Sequence, residues 1–309
     1  MSPSSIKVPV VVGGRSLSLS NLDKVLYPRS GFTKGQMLDY YTRIAPVLLP
    51  HLAGRPLTFK RYPDGVEGHF FFEKNAPSHR PDWVRTAVIA TPGSTKNRET
   101  ISYAVVDDLP TLVWVANLAS LELHVPMWRV GPDGQAQAPD LLVFDLDPGP
   151  PATIVECCRV AALLRTALAE DGLAAQPKTS GSKGLQLYVA VAGGTDPGRT
   201  SAYARALAER LERAEPALVV SRMTKELRGG KVLVDWSQNN PAKTTVAVYS
   251  LRARPYPTVS TPVTWAEVEG CAVAGSPDLL RFTSDDVLER VSRDGDRFAP
   301  LLETPAPLP

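Results

Sequence analysis

Leu141-Leu-Val-Phe-Asp145-Leu-Asp147-Pro-Gly149 is the stretch that decides the fold: an apolar run closed by two acids, a proline and a glycine. Such a run, bounded by turn residues, reads as a buried strand. Alternate strand residues share a face, so Asp145 and Asp147 project from one side while Leu142, Phe144 and Leu146 fill the other. A second run, Lys231-Val-Leu-Val-Asp235-Trp236, ends in a third acid. Carboxylates held close together repel unless a cation sits between them. Hard ions such as Mg²⁺ or Mn²⁺ take oxygen ligands, and a pair of them about 3.5–4 Å apart serves in-line phosphoryl transfer. Asp145, Asp147 and Asp235 therefore read as metal-binding, catalytic carboxylates. A turn in which each Asp caps backbone amides ahead of Pro148-Gly149 is the competing reading.

Outward from this strand, the chain alternates strands and helices. An Ala/Leu-rich helix is expected over about Thr153–Asp171, stopped by Gly172. A strand follows at Leu185–Val191, then a helix at about Thr200–Glu215, and strands at Lys231–Trp236 and Thr244–Ser250. Upstream, Thr33-Lys-Gly-Gln36 has the capping-box pattern and starts a helix running to about Leu49. Strand-like runs lie at Leu57–Tyr62 and His69–Glu73, and Leu112–Leu123 reads as a buried helix or a strand–helix junction. A last helix is expected around Asp285–Arg293, and the Pro-rich residues 301–309 read as a flexible tail. This order predicts an α+β fold in a single domain spanning 1–300. Within it, an N-terminal α/β module covers about 8–135, a mixed-sheet core flanked by helices and bearing the carboxylates about 136–255, and C-terminal elements about 256–300.

With 309 residues, 43% hydrophobic and 21% charged, the chain has the composition of an ordinary globular protein. It lacks the run of ~18 apolar residues that a membrane span needs, and its first residues lack the apolar segment of a secretory signal, so a cytoplasmic location is expected. Three cysteines at 157, 158 and 271 are too few and too unevenly spaced for a zinc site or a disulfide framework. The net charge of +2 hides segregation: residues 1–61 carry nine Lys or Arg against two acids, and 222–254 carry seven against two. A basic face for a polyanion such as nucleic acid is the expectation.

Lys178-Thr-Ser180-Gly-Ser182-Lys183-Gly184-Leu-Gln186 gathers small residues, hydroxyls and lysines just before a strand. Glycines let backbone amides approach an anion, which suits a triphosphate, although a plain Gly-Ser loop has the same composition. Arg228, Lys231, Gln238, Lys243, Arg252 and Arg254 surround Asp235 in sequence, a density of cations that would hold a leaving pyrophosphate. Phe70, Phe71 and Phe72 cannot all point inward from one strand, and an outward ring can stack on a base.

Taken in order, Asn21-Leu-Asp-Lys24, Asp145-Leu-Asp147-Pro-Gly, Ser180-Gly-Ser-Lys183-Gly-Leu, Val234-Asp235-Trp-Ser-Gln238, Lys243-Thr-Thr and Tyr249-Ser-Leu-Arg252-Ala closely resemble the polymerase domain of bacterial end-joining ligase D. That family belongs to the archaeo-eukaryotic primase superfamily, and the resemblance covers about residues 8–295. It implies that Asp145, Asp147 and Asp235 bind two divalent ions, Mn²⁺ or Mg²⁺. It implies that Lys60, Ser180, Lys183, Arg228, Gln238, Lys243 and Arg252 hold the incoming nucleoside triphosphate. Asn21, Lys24 and Lys34 match a pocket for the 5′-phosphate of a gapped or recessed DNA end, and Phe71 and Phe72 match rings that stack on the template. The family's usual His falls at Gln186, which can donate a hydrogen bond but not become cationic, so triphosphate binding is implied to be weaker or differently tuned. The 2′-hydroxyl contact is expected around residues 90–97.

The implied function is template-directed, ribonucleotide-preferring nucleotidyl transfer in double-strand break repair, near the bacterial nucleoid, with a DNA ligase and a break-recognition protein as partners. Two alternatives stand beside it. One is an end-binding module that has lost turnover through Gln186; the other is a haloacid-dehalogenase-like phosphatase, which also opens with a strand and D-x-D but leaves Asp235 unexplained.

Overall fold

The computed structural model describes residues 7–91, 99–192, 194 and 196–309; positions 92–97 of the segment expected to read the sugar therefore lie outside the described residues. Two sheets organise the chain, and its α+β character is as expected. In the five-stranded sheet the order is Ala175–Thr179, Leu185–Ala190, Leu141–Pro148, Val232–Asp235, Val219–Val220, so the D-x-D strand is central. All pairs are antiparallel except the last. The six-stranded sheet runs Thr245–Val246, Ser120–Val125, Pro56–Arg61, Thr100–Val105, Thr86–Ala90, with Phe71–Glu73 also paired to Pro56–Arg61.

The period of two in the central strand decides which face meets which core. Leu142, Phe144 and Leu146 are fully buried against the helices Ile154–Glu170, Pro197–Ala214 and Trp265–Ala274. Each such side chain contributes about 1.5–3 kcal/mol by leaving water. Val143 faces the other way, into a cluster built by the helices Lys34–Leu52 and Leu109–Asn117 on the six-stranded sheet. Between those two cores the same face carries Asp145 and Asp147.

Capping chemistry places the helices. Thr33 and Gln36 close a capping box at the start of Lys34–Leu52: the Gln36 N–H donates to Thr33 Oγ1 at 3.2 Å, and the Thr33 N–H to Gln36 Oε1 at 2.8 Å. Thr153 and Glu156 do the same for Ile154–Glu170. The 112–123 run resolves into the end of helix Leu109–Asn117 and the strand Ser120–Val125.

Two expectations need correction, and one helix lies outside them. The strand expected over Thr244–Ser250 reduces to Thr245–Val246, because Tyr249 takes a left-handed φ of 61° and the chain turns back. Helix Trp265–Ala274 was not foreseen, although Thr264 and Glu267 form a capping box. Residues 301–309 are not a free tail: Pro300–Glu303 is helical, Ala306 bridges Val191, and Arg199 donates to the carbonyls of Leu308 and Pro309. Among the described residues no helix is long and apolar enough to cross a membrane.

Candidate active site

Asp145 sits directly opposite Asp235 on one neighbouring strand and opposite Gln186 on the other. Paired residues of an antiparallel sheet point to one side, with Cα atoms about 4.5–5.5 Å apart. Burial, then the charge of Asp147, pushes the Asp145 carboxyl up to about 7; Asp235 adds to this and a hydrogen bond from Gln186 opposes it. Burial also raises Asp147, against Lys183, Arg228 and Arg252. These carboxylates are thus short of positive charge.

Among the described residues, no three acidic, His or Cys side chains are already closed into a cation cage. Asp235 is held by its own neighbours. Its Oδ1 accepts the Ser237 N–H at 3.0 Å and the Ser237 hydroxyl at 2.5 Å, and its Oδ2 accepts the Gln238 amide at 2.8 Å. The backbones of Asp145 and Asp235 are paired, so the two side chains lie on one side of the sheet. The all-oxygen donor set and its unrelieved repulsion fit a hard divalent cation.

Glycines let the surrounding loops close on this strand. A Cβ on Gly184 would lie 2.2 Å from the Leu146 carbonyl oxygen, and one on Gly149 would lie 1.9 Å from that of Arg228. The first brings the 180–184 loop against the central strand, where Ser180 Oγ accepts the N–H groups of Ser182 (3.3 Å) and Gly184 (3.1 Å). The second brings Arg228 beside Asp147. Lys183 Nζ donates to the Pro148 carbonyl at 3.4 Å, Arg252 Nη1 to the Ser180 carbonyl, and Lys243 Nζ to Ser237 Oγ. Arg228 Nε and Arg252 Nε are buried without a hydrogen-bond partner. Ser180, Lys183, Arg228, Gln238, Lys243 and Arg252 thus stand around the three carboxylates. Gln186 is 3% exposed and turned onto Asp145 and Lys178, away from open cleft.

Lys60 joins the group through Glu122, a residue not singled out from the sequence. Glu122 Oε2 accepts from His124 Nε2 at 2.9 Å and lies 3.8 Å from Lys60 Nζ; Oε1 lies 3.3 Å from Arg252 Nε and accepts the Ala253 N–H at 3.0 Å. Burial raises its pKa, but the His124 hydrogen bond and the charges of Arg252, His124 and Lys60 outweigh burial and hold it well below the usual range. An acid alternating with buried Leu121 and Leu123 was the signal that could have found it.

Lys60 Nζ also lies 4.5 Å from the centre of the Phe70 ring and 5.4 Å from that of Phe72, whereas Phe71 packs on Arg61 at 5.1 Å. Strand alternation therefore gives Phe71 and Phe72 different cationic partners, and both rings border a groove of about 1350 Å³ that reaches Asn240–Ala242. In the 5′-phosphate set, Asn21 has a left-handed φ of 55° and its carbonyl accepts the Lys24 N–H at 3.1 Å. Lys24 Nζ meets Asp64 at 2.7 Å near the surface. Lys34 is enclosed: its Nζ donates to the Ser20 carbonyl (2.6 Å), Ser20 Oγ (3.3 Å) and Asn117 Oδ1 (2.8 Å). Burial, with Lys24 and Arg61 nearby, lowers its pKa to about 8. Of this pair, Lys24 is the more exposed.

The family model described as LigD, primase-polymerase domain, matches residues 33–298. The chain belongs to this family. The LigD primase-polymerase domain is a nucleotidyltransferase of DNA end repair with the archaeo-eukaryotic primase fold, which overturns the phosphatase alternative. The chain is 46% identical over 283 residues to the multifunctional non-homologous end joining protein LigD of Mycolicibacterium smegmatis, covering 92% of this chain and 36% of that protein. It is 30% identical over 290 residues to the bifunctional non-homologous end joining protein LigD of Bacillus subtilis, covering 94% and 44%. The chain thus spans less than half the length of these relatives. The structure of the polymerase domain from Mycobacterium tuberculosis ligase D in complex with DNA superposes with a TM-score of 0.85 at 44% identity, covering 94% of this chain and 99% of that one.

Proposed function

We propose that this chain performs template-directed nucleotidyl transfer, preferring ribonucleotides, to fill gaps or extend ends during repair of DNA double-strand breaks. The observation that carries the reading is the placement of Asp145, Asp147 and Asp235 on one face of the central sheet, with Lys183, Arg228 and Arg252 near Asp147. Two divalent ions, Mn²⁺ or Mg²⁺, held by these three residues would neutralise charge at the reacting phosphate and favour an ionised 3′-hydroxyl. Lys183, Arg228, Lys243 and Arg252 would bind the triphosphate and hold the leaving pyrophosphate. Ser180 shapes the loop that presents Lys183, and Gln238 orients Asp235.

In this reading Lys60, held between Glu122 and the aromatic rings, lies where nucleotide and template meet, and Phe71 and Phe72 stack on the template strand. Asn21, Lys24 and Lys34 form the face toward the 5′-phosphate, with Lys24 making the contact and Lys34 supporting the loop. The DNA partner is a gapped or recessed end; a ligase and a break-recognition protein would act with it, near the nucleoid. A second reading, an end-binding module without turnover, draws on the unclosed arrangement at Asp235.

Primer extension on a gapped duplex with Mn²⁺, comparing NTPs with dNTPs and wild type with Asp145→Asn, separates the two. Ribonucleotide addition by wild type and none by the variant is expected. Tight binding of the gap with no addition at saturating Mn²⁺ would leave the end-binding module in its place.

A further inference from the structure

The register of the five-stranded sheet sets four polar side chains in a row across four strands. Lys178 pairs with Gln186, Gln186 with Asp145, and Asp145 with Asp235. Residues directly opposite in antiparallel strands point to the same side, so the row is continuous. Its outer member is unusual: Lys178 is 1% exposed. Its Nζ donates to Gln186 Oε1 at 2.5 Å, Ser260 Oγ at 2.7 Å and the Val246 carbonyl at 3.1 Å. Burial pulls its pKa well below the usual lysine value; the charge of Asp145 opposes this, and three acceptors around Nζ suit the three protons of the ammonium.

A carboxamide has an accepting end and a donating end, whereas an ammonium only donates. As the ammonium, Lys178 engages Oε1 of Gln186, which leaves the amide N–H groups for Asp145, the residue directly opposite Gln186 in the sheet register. We propose that Lys178 is a positioning residue for the metal-binding carboxylate Asp145, acting through the amide orientation of Gln186. The inference rests on the metal-site reading given above and adds a residue to it. Without Lys178 the Gln186 amide is free to turn its oxygen onto Asp145, setting acceptor against acceptor and rotating the carboxylate away from Asp147 and Asp235. Gln186 is uncharged, and the cation of the row stands one strand further out.

The test is Mn²⁺ binding by the nucleotide-free protein, read by electron paramagnetic resonance of the free ion, in a double-mutant cycle. Lys178→Met should weaken binding about 10–100-fold, the scale seen when a residue supporting a metal ligand is removed. The same substitution in a Gln186→Leu background should change it less than about 2-fold, because the relay is already cut. A merely structural lysine would lose affinity equally in both backgrounds, and that result overturns the proposal. So does wild-type affinity in Lys178→Met. If Lys178→Met does not fold, Gln186→Leu alone decides: weakened binding supports the relay and wild-type binding overturns it. Failure of the underlying reading looks different, since wild type would then bind no Mn²⁺ or Asp145→Asn would bind it as wild type does.

Discussion

Asp140 immediately precedes the central strand and Asp145 lies within it, and their surroundings are opposite. Asp140 receives a two-pronged contact from Arg55, Nη1 to Oδ1 at 2.8 Å and Nη2 to Oδ2 at 2.7 Å, and a third bond from Arg129 Nε at 2.8 Å. Burial raises its pKa, but the two guanidinium groups prevail and hold it low. Asp145 faces two more carboxylates and is pushed up to about 7 by burial and those neighbours. One acid is compensated by the protein; the other awaits a charge from outside. The first ties the N-terminal elements to the core, and the second is where chemistry is expected.

That contrast can be broken at either end. The largest effect is expected from Asp145→Asn, which should cut nucleotide addition by about a thousandfold or more, on the scale of losing a principal electrostatic stabiliser. Because it relieves repulsion, the apo variant should melt at or above the wild-type temperature. Extension kinetics and a thermal melt check both halves, and a lower melting temperature with retained activity would reverse the assignment. At the other end, Arg55→Ala should destabilise the fold, but by less than the ~3–5 kcal/mol of a buried charge left wholly unpaired, because Arg129 still donates to Asp140. Urea unfolding measures this, and the fraction still folded should keep its activity.

Glu122 supplies a pH test of the same contrast. Its folded pKa lies below its unfolded value, so its contribution to stability is present above pH ~4.5 and is lost as pH falls through the folded pKa. The stability gap between wild type and Glu122→Gln should therefore be full at pH 7 and narrow in acid, by urea titration at pH 7 and pH 3.5. A gap that widens in acid would contradict the ion network around Glu122. The smallest effect is expected from Lys24→Ala: a few-fold weaker binding of gaps carrying a 5′-phosphate, with the salt slope reduced by about 1. Unchanged discrimination between phosphorylated and unphosphorylated gaps would place the pocket elsewhere.

What the sequence made legible is what depends on local periodicity. A period of two set Asp145 and Asp147 on one face, and capping boxes at Thr33 and Thr153 set two helix starts. Helix Trp265–Ala274 escaped because Gly270 interrupts its pattern and lowers its propensity by about 1 kcal/mol. The run at 244–250 is rich in strand-forming residues, and only its tertiary surroundings turn it back at Tyr249. Glu122 shows in the sequence only as an acid between two leucines, and Lys178 only as one more lysine of its loop. Their roles follow from strand register and from partners on distant segments, such as Ser260 for Lys178 and Arg252 for Glu122. Gln186, expected from the sequence as a nucleotide contact, is buried beside Lys178 and opposite Asp145, a placement that only the sheet register reveals.

The most direct measurement of the central claim is the stabilisation of nucleotide-free protein by Mn²⁺, in wild type and in Asp145→Asn, by thermal melting with calorimetric binding at fixed pH. At a hundredfold excess over Kd, wild type should gain about 2.7 kcal/mol. Asp145→Asn, starting at or above the wild-type apo melting temperature, should gain little. Equal stabilisation of both proteins, or none in wild type, would contradict a metal centre built on Asp145.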